Sequence, residues 1–309
     1  MMKKMRLLFF VVIAMLVLSA CSMDSSLEKK DDAAKDTKEG SYKIGFSIST
    51  LNNPFFVTLS EGAKEVSKEN NVNLVVVDAQ DDASKQASDV EDLIQQGIDL
   101  LLINPVDSSA VGSAVESANA AGIPVITVDR SADSGEVVAH IASDNVEGGK
   151  LAGEYLLELV GEGAKVAMLE GVPGSSAARD RGEGFLKAVE GKVDLVSSQP
   201  ANFNRSEGLS VMENMLQAHP DIQAVFAQND EMALGALEAI SAAGKDIVVI
   251  GFDATDDALK KIDEGKMAAS VAQKPEEIGK TAIETAVKYL NGEEVDEFVP
   301  VELELVKKQ

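Results

Sequence analysis

The chain has no tryptophan, one cysteine, two histidines and three tyrosines in 309 residues. A single cysteine excludes an internal disulfide, so the fold must stand on its apolar core. His140 and His219 offer no triad partner, no i, i+4 metal pair and no Cys-x-x-Cys companion. No catalytic group, metal or cofactor is therefore expected. Basic residues are outnumbered 28 to 52, for a formal charge of −24. Such a surface repels nucleic acid and anionic headgroups. Long apolar runs are also missing, because Leu7 to Leu18 falls short of the about 20 residues that cross a bilayer.

That short run is nevertheless informative. Lys3, Lys4 and Arg6 precede it and it ends L-S-A-C, the pattern of a lipoprotein-type secretory leader over residues 1–20, with Cys21 as the lipidation site. Residues 21–41 are rich in Lys, Asp, Glu and Ala with little to bury, so they read as a solvated tether. The expected location is the outer face of the cell membrane, held by lipid, as suits a Gram-positive surface.

From Tyr42 onward, short apolar runs alternate with amphipathic stretches. Strands are expected at 42–48, 73–77, 100–103 and 124–128, with helices at 54–70, 84–96 and 108–121 between them. A second series has strands at 165–169, 193–197, 224–227, 247–250 and 268–272, with helices at 146–159, 176–189, 205–218, 232–243 and 256–264. A last helix, 275–290, and a strand, 301–306, follow. This is an α/β pattern of βαβ units with parallel sheets and right-handed crossovers, and two sheets accommodate it better than one.

With so few aromatics, T-L-N-N-P-F-F at 50–56 stands out. Asn53 suits an N-cap and Pro54 a first helical position, which places Phe55 and Phe56 beside the carboxyl end of the first strand. Open α/β sheets hold ligands at that end. The other strand ends carry Asn104, Asp129-Arg130, Asn229-Asp230 and Phe252-Asp253, with Asp230 read as a helix cap. Rings to cover apolar faces and planar polar groups to meet hydroxyls form the chemistry of a sugar site. Gly171–Ser176, G-V-P-G-S-S, lacks the lysine of a phosphate loop and reads as a glycine turn into a capped helix; Asp78–Asp82 lacks the glycine and glutamate of a calcium loop.

These motifs, with L-L-I-N-P, I-P-V-I-T-V-D-R, H-I-A-S-D-N, S-A-A-R-D-R-G-E-G-F, V-F-A-Q-N-D-E-M-A-L-G-A-L and V-I-G-F-D, resemble the periplasmic sugar-binding proteins of ABC importers over residues 42–309. The resemblance implies two Rossmann-like lobes joined by a three-strand hinge, the type I arrangement. Residues 42–143 with 275–300 would form one lobe and 144–274 the other, with 301–309 holding the last crossing. Crossings are expected near Ser143-Asp144, Gln273–Pro275 and Pro300–Leu305. The implied sugar contacts are Asn53, Phe55, Phe56, Asn104, Asp129, Arg130, Arg181, Phe203, Asn229, Phe252, Asp253 and Gln273, while Arg179 reads as an ion-pair residue. Asn202 and Asn204 flank Phe203 where relatives carry an Asp. The implied partners are D-ribose or a related monosaccharide, the membrane subunit of an ABC permease and a chemoreceptor, with the protein a monomer.

Rival readings differ in one feature each. A sugar-responsive repressor needs a basic helix-turn-helix head, and a sugar-metabolising enzyme needs a catalytic group. The remaining alternative keeps the fold and changes the ligand to another pentose, allose or a furanose-like signal such as autoinducer-2.

Overall fold

The computed structural model describes residues 41–308. The leader over 1–20, Cys21 and the tether as far as residue 40 lie outside the described residues. In chain order the first half contains β1 (Lys43–Ile48), α1 (Pro54–Glu69), β2 (Asn73–Asp78), α2 (Ala83–Gln95), β3 (Leu100–Ile103), α3 (Gly112–Ala120), β4 (Val125–Val128) and β5 (Ala139–Ser143). Next come α4 (Asn145–Val160), β6 (Lys165–Glu170), α5 (Ser176–Val189), β7 (Asp194–Pro200), α6 (Arg205–Ala218), β8 (Ala224–Ala227) and α7 (Asp230–Ala242). The chain closes with β9 (Val248–Asp253), α8 (Asp256–Asp263), β10 (Ala269–Ala272), α9 (Pro275–Leu290), β11 (Phe298–Val301) and β12 (Glu304–Lys307).

Two six-stranded sheets result, ordered β2-β1-β3-β4-β5-β11 and β7-β6-β8-β9-β10-β12. Every pair is parallel except β10 with β12. Parallel strands covered on both faces are continuously apolar, and L-L-L-I of β3 and A-V-F-A of β8 are wholly buried. One face of the first sheet packs Ile44, Phe46 and Ile48 against Leu59 of α1 and Ile278 and Ile283 of α9. Its other face packs Leu101 and Ile103 against Val90, Leu93 and Val115 of α2 and α3. The second sheet is sandwiched likewise, with Phe226 and Ile250 against Leu156 and Phe185 on one side and Val225 and Val249 against Met212, Met215 and Met232 on the other.

Helix starts are written in the sequence. Asn53 accepts the Phe55 N–H at 2.9 Å ahead of Pro54, and Asp82, Asp144, Asn204 and Asn229 accept amides of their own first turns. Because each of these helices follows a strand of a parallel sheet, the capping residues collect at the carboxyl edges.

The chain passes from one sheet to the other three times: from β5 into α4, from β10 into α9, and from β11 to β12. The last passage corrects the expected single strand at 301–306. Residues 302 and 303 separate two short strands there, one in each sheet, because the segment leaves the first sheet and joins the second in the antiparallel sense. Strand β5, A-H-I-A-S, adds to the expected strands; with a single large aliphatic residue, Ile141, it has no readable apolar run. Helix α3 begins at Gly112 rather than Ser108, whose N–H is held by the Gly174 carbonyl at 2.9 Å.

Candidate functional site

The carboxyl ends of both sheets converge on a tight cavity lined by Asn53, Phe55, Phe56, Asp129, Arg130, Ala177, Arg181, Phe203, Asn229, Asp253 and Gln273. Asp129 and Arg130 leave the end of β4, and Asp253 closes β9 with Gln273 just past β10. Each carboxylate has a guanidinium nearby: Arg130 Nε is 3.7 Å from Asp129 Oδ2, and Arg181 Nη1 is 3.8 Å from Asp253 Oδ1. All four side chains are at least nine-tenths buried. Burial raises the Asp129 carboxyl above its usual range against the pull of Arg130 and Arg181. Burial likewise raises Asp253 well above it, against the pull of Arg181. The guanidiniums are lowered by the same desolvation, from a value so high that they stay charged.

Other groups fix these side chains. Asn104 Nδ2 donates to the Val128 carbonyl at 3.0 Å and to Asp129 Oδ2 at 3.3 Å, while its Oδ1 accepts the Ser49 N–H at 3.1 Å. Arg130 Nη1 donates to the Pro105 carbonyl at 3.0 Å. Arg181 is tied to Asn145 Oδ1 at 2.8 Å and to the Gln228 carbonyl at 2.7 Å. Gln273 Nε2 donates to Asp253 Oδ1 at 2.9 Å. After these bonds, three buried atoms on lining residues have no hydrogen-bond partner: Asp129 Oδ1, Arg130 Nε, which lies 3.7 Å from Asp129 Oδ2, and Gln273 Oε1. Two acceptors and a donor thus remain for something else to meet, since leaving such groups unmet costs about 1–3 kcal/mol each.

Rings and cations alternate through the site. The Arg130 guanidinium lies 5.2 Å from the Phe56 ring and 5.3 Å from Phe203, and Arg181 lies 5.7 Å from Phe203 and 3.8 Å from Phe252. Phe203 therefore presents its ring to both arginines, joining groups from the two sheets. Gly171 makes this possible, because a Cβ there would stand 2.0 Å from the Phe203 ring. The G-V-P-G-S-S turn thus seats a ring, and Ser175 at its end makes no side-chain cap bond. Asp129, Phe203 and Asp253 have φ of 65°, 57° and 113°, conformations that L-residues rarely adopt and that cluster where side chains must be aimed.

The structure brings most of the expected residues to one cavity and places two behind it. Asn104 is spent on Asp129 and on backbone, and Phe252 lies under Arg181; neither is among the lining residues. Asp230 is not the cap of α7: Asn229 accepts the Met232 N–H at 3.0 Å, and the Asp230 carboxylate turns toward Thr255 and Ser270. Ala177 had no signal in the sequence, since its contribution is the absence of bulk. Arg179 pairs with Asp133 at 2.8 Å.

Residues 44–294 match the model of the periplasmic binding protein domain. The chain is 54% identical over 295 residues to the ribose import binding protein RbsB of Bacillus subtilis (strain 168), covering 96% of each. It is 56% identical over 278 residues to the protein of the same name from Escherichia coli (strain K12), covering 89% of this chain and 92% of that one. Among solved structures, an ABC transporter solute-binding protein from Mycobacterium smegmatis with bound glycerol matches with a TM-score of 0.84 at 39% identity, covering 87% of this chain and 95% of that one.

Proposed function

The chain belongs to the periplasmic binding protein family, and on that footing we propose that it captures D-ribose in the cavity between its sheets and delivers it to the permease of an ABC importer. One observation carries the reading: Asp129 Oδ1, Arg130 Nε and Gln273 Oε1 are buried without hydrogen-bond partners on residues that line a small cavity walled by Phe55, Phe56 and Phe203. A neutral polyol supplies donors for the two acceptors and an oxygen for the guanidinium, and its apolar faces suit the rings. The names of the ribose import relatives support ribose as the polyol.

The proposed ligand contacts are Asn53, Phe55, Phe56, Asp129, Arg130, Arg181, Phe203, Asn229, Asp253 and Gln273, with Asn104 and Phe252 bracing Asp129 and Arg181. Residues 42–143 with 275–300 would act as one lobe and 144–274 as the other, the three crossings serving as the hinge. Sugar that touches both lobes favours the closed form by its differential affinity, and the permease then docks on the closed pair. The described residues include no helix long and apolar enough to cross a membrane. The leader and Cys21 support a lipid anchor on the outer face of the membrane, with the protein a monomer that binds its sugar without transforming it.

The test is calorimetric titration of the protein, freed of carried-over sugar by unfolding and refolding, with D-ribose, allose, xylose and galactose. Tight 1:1 binding of ribose supports the reading; preference for allose or xylose moves the ligand within the same fold.

A further inference from the structure

Asp230 is fully buried and lines no part of the sugar cavity. Its carboxylate is met by neutral donors: the Thr255 N–H at 2.7 Å, the Thr255 hydroxyl at 3.2 Å and the Ser270 hydroxyl at 2.7 Å. The Ser270 oxygen in turn accepts the Ala254 N–H at 2.9 Å. The backbone opposite is cut away to admit this carboxylate, since a Cβ on Gly251 would lie 2.3 Å from Asp230 Oδ1. A buried carboxylate costs several kcal/mol to desolvate, so its hydrogen bonds must serve something that packing alone does not supply.

What they hold is the turn at 253–255. Asp253 has φ 113° and Ala254 φ 55°, two successive side-chain-bearing residues in the left-handed half of the map. Such a pair persists only where its surroundings over-determine it. Asp230 receives Thr255 directly and Ala254 through Ser270, clamping the turn from its far side. The residue so aimed is Asp253, which faces Arg181, accepts from Gln273 and lines the cavity.

We infer that Asp230 is a positioning residue of the sugar site, fixing the strained 253–255 turn so that the Asp253 carboxylate is held ready for the ligand. This rests on the sugar-binding reading above. It predicts a coupling: the effect of Asp230 on affinity passes through Asp253 and through the backbone of Ala254.

The experiment compares the parent, D230N, D253N, the double variant and D230N with Ala254→Gly, by ribose titration and by amide hydrogen exchange of the ligand-free proteins. D230N should weaken ribose binding about 10- to 100-fold, as expected when the Thr255 and Ser270 donors are left without their buried acceptor. On the D253N background the same change should cost less than about threefold, because the two act as one unit. Glycine at 254 adopts φ > 0 without strain, so A254G should recover part of the affinity of D230N. Amides of Ala254 and Thr255 should exchange faster in D230N while those inside β8 keep their protection. The inference falls if D230N binds as the parent does, if its full loss recurs beside D253N, or if A254G restores nothing. Should the parent ignore ribose, the ligand assignment fails, and the exchange of Ala254 and Thr255 still decides the clamp. If D230N does not fold, Ser270→Ala, which cuts the bridge to Ala254, takes its place in every comparison.

Discussion

Replacing Asp129 with asparagine separates what the carboxylate does for the ligand from what it does for the fold. Oδ2 is near Asn104 and Arg130, at 3.3 Å and 3.7 Å, while Oδ1 has no partner. Asparagine keeps the shape and tolerates the left-handed backbone that Asp129 adopts at φ 65°, so the change is almost purely one of charge and acceptor capacity. A hydrogen bond to a charged group is worth about 1.5–3 kcal/mol, so D129N should weaken ribose binding about 10- to 150-fold. Stability of the ligand-free protein should move the other way or not at all. Burial raises the pKa of this carboxyl despite two arginines, which means that the ionised group is a cost to the empty site. Titration calorimetry and thermal melting of parent and variant, each with and without ribose, read both quantities. Binding within about threefold of the parent, or a fall in ligand-free melting temperature alongside the loss of affinity, would refute the reasoning.

Phe203→Ala removes the ring shared by Arg130 and Arg181; with cation–π contacts worth about 0.5–2 kcal/mol each, affinity should fall about 10- to 100-fold, and Phe203→Leu should recover less than half of that in free-energy terms if the ring face matters. An unchanged affinity by fluorescence or calorimetric titration would remove Phe203 from the site. Arg179→Gln breaks a pair with Asp133 whose side chains are 45% and 42% exposed; exposed pairs give about 0–1 kcal/mol, so affinity should drop at most about fivefold, and the difference should vanish in 1 M salt. A salt-independent loss would mean that Arg179 acts on the cavity itself. The Asp230 carboxyl is pushed up to about 7 by burial, and those of Asp129 and Asp253 are raised as well. The native state then holds protons that the unfolded chain has released, so Asp230 costs the ligand-free protein stability as pH climbs from about 4 toward 7, and Asp129 and Asp253 act in the same sense as each gives up its proton. The melting temperature of D230N should therefore gain on the parent between pH 5 and pH 8, and a gap that does not move with pH would contradict the raised titration of Asp230.

The fold was legible because parallel α/β architecture leaves a strong trace: buried strands such as L-L-L-I are unbroken apolar runs, and helix starts carry Asn or Asp caps. Strand β5 leaves no such trace because the residues of A-H-I-A-S are mostly small or polar, and the terminal pair β11 and β12 reads as one strand because nothing local marks a passage between sheets. At the site, Asn53, Asp129, Arg130, Asn229 and Asp253 were visible from strand ends alone. Arg181, Phe203 and Gln273 came only through resemblance, since they lie within a helix, in a loop and past a short strand. What no pattern could reveal is the division of labour among neighbours. Asn104 looks like a ligand group and is consumed by Asp129; Asp230 looks like a cap and is spent on a turn two elements away.

The same inventory of unmet atoms says why the sugar should control closure. Asp129 Oδ1, Arg130 Nε and Gln273 Oε1 are buried without hydrogen-bond partners, and a closed form that leaves them so bears about 1–3 kcal/mol apiece. Moving a two-state equilibrium from 1:99 to 99:1 takes about 5.5 kcal/mol, which lies in the middle of the total for three such groups. Opening relieves the penalty by returning these groups to water; a polyol relieves it with the lobes closed. Aromatic walls alone would give affinity without this discrimination, because apolar contact between the lobes is favourable whether or not a ligand is present. In the proposed cycle, polar groups placed so that only a ligand can satisfy them would make the closed form conditional, and a permease that recognises the closed form would thereby recognise cargo.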